Sequence, residues 1–173
     1  MEMDIPQGVQ AKLEGSSITI SGKLGSTAKG FNSKLTPVEI SNNKITIIEP
    51  QNKKLLRKAK LAETSLSHEI ASAFKGVESG IEVRMQIVYA HFPISLEVKS
   101  GVLYIKNIFG EKNPRIAKII GSTKIEVKGQ EVTLKGVDST DVGQTIANIK
   151  KAVHVTAHDT RVFQDGLYIM REE

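Results

Sequence analysis

The sequence contains no cysteine and no tryptophan, and aromatic residues make up only 5% of its 173 residues. Without cysteine, the chain forms no disulfide and offers no thiolate to a metal ion. With so few aromatic side chains, its hydrophobic core must be built mainly from Ile, Val, Leu and Ala. Small aliphatic cores of this kind suit thin, two-layer domains.

Long hydrophobic runs are also missing. No apolar stretch approaches the roughly 20 residues that a membrane-spanning helix needs. The first ten residues, MEMDIPQGVQ, contain two acids and no apolar run, which is not the pattern of a signal peptide. The composition, with 39% hydrophobic and 25% charged residues, is that of a folded globular protein. We therefore expect a soluble, cytoplasmic protein.

Motifs for catalysis and cofactor binding are lacking as well. Residues 22–30, GKLGSTAKG, resemble a phosphate-binding loop only in composition, because they lack the Gly-Lys-Ser/Thr ending and join two strands. We interpret them as a flexible connection. No nucleophile elbow or acid pair is recognisable. We predict that the chain is not an enzyme and holds no cofactor, although carboxylates brought together only by folding would not show in the sequence.

The four histidines do not predict a metal site. His154 and His158 are four residues apart, the spacing that places two ligands on one helical face. The β-branched residues around them indicate that the helix ends there, and Asp159 is the only carboxylate close by. His68 fits the polar face of a helix, and His91 fits the end of a strand.

Two β-hairpin patterns each occur twice in the chain. In each, apolar residues alternate with polar ones on both sides of a turn, which predicts antiparallel strands with one buried face. The first hairpin recurs after 85 residues and the second after 87. The four hairpins cover residues 9–20, 38–47, 94–105 and 125–134.

A helix completes the repeat. Residues 52–76 carry apolar side chains at steps of three and four, and so do residues 139–153. The later apolar positions of the first helix match those of the second at a constant offset of 76. Ser139, or Asp138 just before it, is expected to cap the second helix.

The repeat predicts an α+β protein with two tandem similar domains, each an antiparallel β-sheet packed on one α-helix. We place the domains at residues 1–78 and 79–173, with the boundary between Gly76 and Gly80. The second domain is expected to hold additional material. Residues 81–89 predict an added strand before its hairpin, and residues 161–170, RVFQDGLYIM, predict a strand broken by an Asp-Gly turn.

The chain is mildly basic, with a formal charge of +5 and a pI near 9.3. Basic proteins attract polyanions, first nucleic acid and second acidic membrane surfaces. Five cations lie in Lys53–Lys60, near the N-terminus of the first predicted helix, where the helix dipole disfavours positive charge. This segment either binds an outside anion or is a solvated helix face, and the sequence leaves both open.

The connection 106–115, KNIFGEKNPR, combines three cations with two amides, a glycine and a proline. Lys, Arg and Asn are common donors to phosphate and ribose oxygens, and loops are free to carry such functions. An ordinary polar loop is the alternative. No strand shows the interleaved aromatic residues that stack single-stranded bases, so any RNA would be recognised through its backbone and shape.

Three stretches resemble large-subunit ribosomal protein six in its archaeal form. Residues 161–169, RVFQDGLYI, look like the family's C-terminal signature. Residues 105–112, IKNIFGEK, with Arg115, are similar to the family's Asn-x-x-Gly-Glu-Lys loop. Residues 141–149, DVGQTIANI, are similar to a family helix that often contains Gly-Gln and small residues. The resemblance spans essentially the whole chain.

The resemblance implies a non-catalytic, structural constituent of the large ribosomal subunit. In the family, two similar domains arise by duplication. The C-terminal domain carries the main contacts with large-subunit rRNA, near the sarcin–ricin region and the stalk base where translation GTPases dock. The rRNA-binding residues implied here are Lys106, Asn107, Lys112, Asn113 and Arg115 in the loop, Gln144, Asn148 and Lys151 on the helix, and Arg161 after it. Neighbouring ribosomal proteins at the stalk base are implied as partners, with no membrane and no small-molecule substrate.

Two positions depart from the family pattern. His158 stands where Lys is usual, which weakens one expected phosphate contact at neutral pH, and Lys151 stands where Gln is common. The competing hypothesis is a non-ribosomal protein-interaction module of duplicated sheet-and-helix domains, with an incidental basic surface.

Overall fold

A computed structural model describes residues 2–41, 44–48, 56–155, 159 and 161–170. The chain divides into two compact units, Met1–Gly80 and Ile81–Glu173. We refer to them as the N-terminal and C-terminal domains.

The N-terminal domain consists of two three-stranded antiparallel sheets and one helix. Its sheets have the strand orders β2-β3-β4 and β1-β6-β5. The elements are β1 (Glu2–Asp4), β2 (Gln10–Glu14), β3 (Ser17–Ser21), β4 (Ser26–Gly30), β5 (Val38–Ser41), β6 (Lys44–Ile47) and α1 (Leu56–Glu78).

The C-terminal domain repeats this plan with one more strand. Its sheets have the orders β8-β9-β10 and β11-β12-β7-β13, and all pairs are antiparallel. The elements are β7 (Ile81–Val88), β8 (Ser95–Lys99), β9 (Val102–Lys106), a 3-10 turn (Ile108–Gly110), β10 (Arg115–Lys118), β11 (Lys124–Lys128), β12 (Glu131–Gly136), α2 (Ser139–Ala152) and β13 (Gly166–Ile169).

The predicted α+β fold with two similar domains is confirmed, but each domain holds two small sheets instead of one. The strand predicted over residues 81–89 is present as β7, but it is not an addition to the repeat. β7 has a counterpart in β1, because Met85 pairs with Val132 as Met3 pairs with Ile45. The added strand of the C-terminal domain is β13.

Aliphatic side chains fill both domains, as the composition indicates. In the N-terminal domain, the end of α1 closes on the turn after β3. Leu24 donates its backbone N–H to the carbonyl of Val77 at 3.2 Å, and a Cβ added at Gly22 would lie 2.9 Å from the Val77 side chain. The fully buried residues of this domain include Ile18, Ile20, Ile45, Ile70 and Val77.

The core of the C-terminal domain lies between α2 and the inner faces of its sheets. The large side chains with no exposed surface there are Met85, Leu103, Ile105, Ile108, Val132, Leu134 and Ile149. Asp138 caps α2 by accepting a hydrogen bond from the Thr140 N–H at 2.8 Å, so the second of the two expected caps is the one present.

Three local predictions need correction. Residues 22–30 are not only a connection, because β4 begins at Ser26 and buries Thr27 and Lys29. A strand that buries polar residues carries no apolar alternation, which is why the sequence did not reveal it. β2 lies at a sheet edge and leaves Leu13 43% exposed, so that arm of the hairpin buries less than expected. The C-terminal strand begins only at Gly166, after a turn.

Within the described ranges, neither helix is long and apolar enough to cross a membrane.

Candidate nucleic-acid interface

The loop between β9 and β10 has a fixed shape because its backbone and two of its side chains are tied to the core. Asn107, Phe109 and Gly110 all have positive φ angles, of 59°, 52° and 74°. Ile108 and Phe109 are buried, and the Asn107 side chain donates to the Pro93 carbonyl at 3.1 Å. Left-handed backbone costs a non-glycine residue about 1–3 kcal/mol and persists only where surrounding contacts impose it. The loop therefore presents Lys112 and Asn113, both exposed, from a rigid base.

Arg115 closes this loop and attaches it to the end of α2. Its Nε and Nη2 donate to the two carboxylate oxygens of Glu111, at 2.8 and 2.6 Å, in a bidentate pair. Nη1 donates to the carbonyls of Ala152 and His154, at 2.9 and 2.8 Å. The guanidinium also lies 5.3 Å from the centre of the Phe109 ring. Glu111 raises the pKa of Arg115 through the hydrogen bond.

The expected role of Arg115 is therefore revised. A guanidinium has five N–H donors, and four of them are already directed at protein acceptors. The side chain is only 20% exposed. Arg115 holds the loop in position, and we do not propose it as a direct phosphate ligand.

Helix α2 packs along β10 and is linked to it by side-chain hydrogen bonds. Asn148 donates to the Lys118 carbonyl at 2.9 Å and accepts from Gln144 at 3.3 Å. Thr145 accepts from the Ile120 N–H at 3.0 Å. Asn148 therefore uses its amide group for hydrogen bonds within the protein. The family resemblance had implied that this group donates to RNA.

A groove runs between β10 and α2. Two cations and no acid line it, together with an amide and small or aliphatic side chains: Ile116, Ala117, Lys118, Asn148, Lys151 and Ala152. We call this the β10–α2 groove. Lys118 was missed because no strand was predicted over residues 115–118. Their sequence, RIAK, does not alternate between polar and apolar residues, although Ile116 and Lys118 face solvent and Ala117 is buried.

Lys106 differs from the tip residues because it has an acidic partner. Its Nζ lies 2.6 Å from a carboxylate oxygen of Glu97, which also pairs with Lys99. Hydrogen bonds from Lys106 and then Lys99 lower the pKa of Glu97 to about 2. Lys106 would have to exchange Glu97 for a phosphate in order to bind one.

Arg161 is exposed in a turn after α2, and its N–H donates to Asp159 Oδ1 at 2.9 Å. Two of the residues that follow, Phe163 and Asp165, have a structural role, because they contact the loop after β7. The Phe163 ring stacks on His91 with centroids 4.5 Å apart. Asp165, with a side chain only 1% exposed, accepts from the backbone N–H of Ala90 at 2.9 Å and contacts His91 Nδ1 at 3.4 Å.

Some sequence predictions lie outside the described residues. Lys53, Lys54 and His158 are among them, so the predicted cationic segment is described only from α1 onward. There, Arg57, Lys58 and Lys60 are exposed, and the first turn of α1 contains no acid. In the ranges that the structure describes, no group of three or more His, Asp or Glu residues is arranged to hold a metal ion.

Comparisons with known proteins identify the class. A family model described as ribosomal protein L6 matches residues 92–166. The large ribosomal subunit protein uL6 of Methanobrevibacter smithii is 37% identical over 173 residues, covering 99% of this chain and 95% of the relative. The proteins of the same name from Methanosarcina mazei and Sulfurisphaera tokodaii are 37% and 38% identical and cover 98% and 99% of the chain, and 95% and 91% of their own lengths. These matches define the class as a family of ribosomal proteins. The chain belongs to the uL6 family.

Replacing Arg115 is expected to destabilise the protein. Arg115→Ala removes the guanidinium donors to the carbonyls of Ala152 and His154 and to the Glu111 carboxylate, and we expect the free energy of unfolding to fall by about 1–3 kcal/mol. Lys112→Ala, on the same loop, should change it by less than about 0.5 kcal/mol. Urea denaturation of both variants measures this, and equal stability of the two would contradict the role given to Arg115.

Asp165 predicts a specific dependence of stability on pH. Burial raises the pKa of Asp165, but hydrogen bonds from Ala90, His91 and Phe92 outweigh it and lower the pKa below the usual 3.8. Because the folded pKa is depressed, the stabilisation is fully present above pH 3.8 and is lost as the pH falls through the folded pKa.

Asp165→Asn is therefore expected to be less stable than the parent chain at pH 7, by about 1–3 kcal/mol. The difference should shrink below about pH 4. Thermal or urea unfolding at pH 7, 5 and 3 checks this, with Glu131→Gln, at an exposed position at the start of β12, as the control. A difference that stays constant across this range would show that Asp165 does not act through its charge.

Proposed function

We propose that the protein is a non-catalytic, structural component of the large ribosomal subunit and binds large-subunit rRNA. The observation that carries the proposal is the similarity to uL6 proteins along almost the entire length of both chains, at 37% identity for the relative from Methanobrevibacter smithii. The relatives' name assigns them to the large ribosomal subunit, and this chain would take the same place. Its location would then be the ribosome, in the cytoplasm.

The C-terminal domain, residues 79–173, would carry the main RNA contacts. Support comes from exposed donors on this domain that the fold does not use. Among the described residues, Lys112, Asn113, Lys118, Lys151 and Arg161 are exposed and donate no side-chain hydrogen bond to the protein. Such groups are available to phosphate and ribose oxygens. Arg115, Asn107 and Asn148 would act indirectly, by holding the loop and the β10–α2 groove in shape.

The finer location rests on the family resemblance. The site would be near the sarcin–ricin region and the stalk base, with neighbouring ribosomal proteins as further partners. The N-terminal domain, residues 1–78, would face other ribosomal components or solvent. Arg57, Lys58 and Lys60 on α1 leave room for an auxiliary RNA contact there, since their charges lie at the end of a helix where cations are not stabilising.

Sedimentation of a cell lysate tests the proposal. We expect the chain to sediment with the large-subunit fraction, and chemical footprinting of the purified chain on large-subunit rRNA to protect the sarcin–ricin region or stalk base. Recovery in the soluble pool would instead favour a protein-interaction module. Protection of other rRNA regions alone would refute the finer location and leave the ribosomal role standing.

The control for any cationic substitution needs care. Lys29 is only 7% exposed, so Lys29→Ala would disturb the N-terminal domain itself. Lys128→Ala is better matched, since Lys128 is exposed at the end of β11 and is not among the residues that line the β10–α2 groove.

A further inference from the structure

The outer edge of β10 has a backbone arrangement that fits it to hold an anion. In an antiparallel strand, successive residues direct their N–H and C=O groups to opposite sides. Ile119 donates to the Gly101 carbonyl, toward the β9 side, at 3.0 Å. The Ile120 N–H and the Lys118 carbonyl bond to Thr145 and Asn148, on the α2 side. The N–H of Ile116, two residues before Lys118, therefore points to the same side as α2.

At Ile116, this side is open. Thr145 bonds to the Ile120 N–H and Asn148 bonds to the Lys118 carbonyl. Ile116, in contrast, lines the β10–α2 groove and is 57% exposed. An aliphatic side chain this exposed, beside a backbone N–H at a strand edge, offers both an apolar surface and a donor. Ala117 and Ala152 also line the groove, and their small side chains leave space for a ligand to approach the backbone.

Two ammonium groups border the same space. Lys118 lies two residues after Ile116, on the same outward face of β10. Lys151 is one turn after Asn148 on α2, and residues three apart on a helix are neighbours on its surface. Both lysines are exposed, and in the described part of the chain neither forms an ion pair. By contrast, Lys106 and Lys99 on the neighbouring strands share Glu97.

The C-terminal end of a helix normally repels anions, because its last carbonyls carry partial negative charge. Here Arg115 donates to the carbonyls of Ala152 and His154, next to the groove. The last carbonyl of α2, that of Ala152, and the carbonyl of His154 just beyond the helix are thereby bonded to a cation. Lys150 and Lys151 add positive charge in the last turn.

We propose that the β10–α2 groove binds one phosphate–ribose unit of RNA. The Ile116 N–H and the ammonium groups of Lys118 and Lys151 hold the phosphate oxygens, and the Ile116 side chain packs against the ribose. This rests on the proposed rRNA-binding function and adds a defined subsite with two residues, Ile116 and Lys118, beyond the tip of the 107–114 loop. Backbone N–H groups and lysines are usual phosphate ligands, whereas an aliphatic side chain reads no base.

The test uses the full-length chain and protein-free large-subunit rRNA. Binding is measured at several salt concentrations for the parent, for Lys118→Ala and Lys151→Ala singly and together, and for Lys128→Ala. We expect each groove variant to lose about tenfold in affinity, the size expected for one charge-assisted hydrogen bond. Because both lysines act on one phosphate, the double variant should lose less than the product of the single losses. Its log–log salt slope should fall by about 0.7–0.9, the value for a single phosphate.

A separate variant tests the apolar contact. Ile116→Ala should weaken rRNA binding by about three- to tenfold, the range for loss of a partly buried aliphatic contact, while leaving the salt slope unchanged. Circular dichroism and urea unfolding confirm that each variant is folded.

The outcomes separate the two proposals. If the parent chain shows no salt-dependent binding to the rRNA, the proposed function itself fails. If the parent binds and Lys118→Ala, Lys151→Ala and Ile116→Ala all bind like Lys128→Ala, the subsite proposal is overturned and the function stands. Multiplicative losses, with a double-variant slope change of about two phosphates, would refute the shared phosphate.

Discussion

The candidate interface depends on the position of one mostly buried guanidinium, that of Arg115. Arg115 joins a loop to the end of a helix that lies 37 residues further along the chain, through hydrogen bonds to Glu111, Ala152 and His154. Charge-assisted and bidentate bonds are among the strongest in proteins and have defined geometry. The same contacts fix the exposed loop tip, set the spacing between β10 and α2, and cover carbonyls that would otherwise repel phosphate. In the proposed RNA-binding role, Arg115 would therefore act by holding the loop and helix in place.

The two domains share one strand plan, and they differ most where the interface lies. Four residues separate β3 from β4, whereas the corresponding connection between β9 and β10 spans residues 107–114 and contains the left-handed turn. β7 has eight residues where β1 has three, and among the described residues a strand like β13 is found in the C-terminal domain alone. Connections tolerate such change because they carry few core contacts. Duplication followed by elaboration of one copy accounts for a scaffold in which the two domains share a strand plan but differ in their connections.

The sequence predicted the parts of the fold whose residues alternate between polar and apolar. The four hairpins and the helix over 139–153 have such patterns, and the repetition of these patterns predicted that the two domains are similar. It did not reveal β4, where Thr27 and Lys29 point inward, nor β10, which is four residues long and follows a proline. β1 is only three residues long and pairs with β6, which is distant in sequence, so local sequence patterns do not reveal it.

The sequence predicted which site residues lie on an exposed loop better than it predicted which of their side chains the fold itself uses. Exposed donors such as Lys112 and Asn113 are where the resemblance implied, because a loop tip follows from the sequence of turn-forming residues. Whether a polar side chain faces solvent or bonds to the protein depends on contacts distant in sequence. Arg115 reaches α2, Asn107 reaches Pro93 and Asn148 reaches Lys118, and all three use donors that had been expected to meet RNA. Asp165, interpreted only as a turn residue, proved to be a buried acceptor for the loop after β7.

We propose that the C-terminal domain touches large-subunit rRNA through the loop tip and the β10–α2 groove. Ultraviolet cross-linking of intact large subunits, followed by mass spectrometry of RNA-linked peptides from this chain, identifies these contacts most directly. We expect nucleotide-linked peptides from residues 112–118 and 144–151. RNA-linked peptides confined to residues 1–78 or to the β11–β12 turn, with none from those two segments, would contradict it.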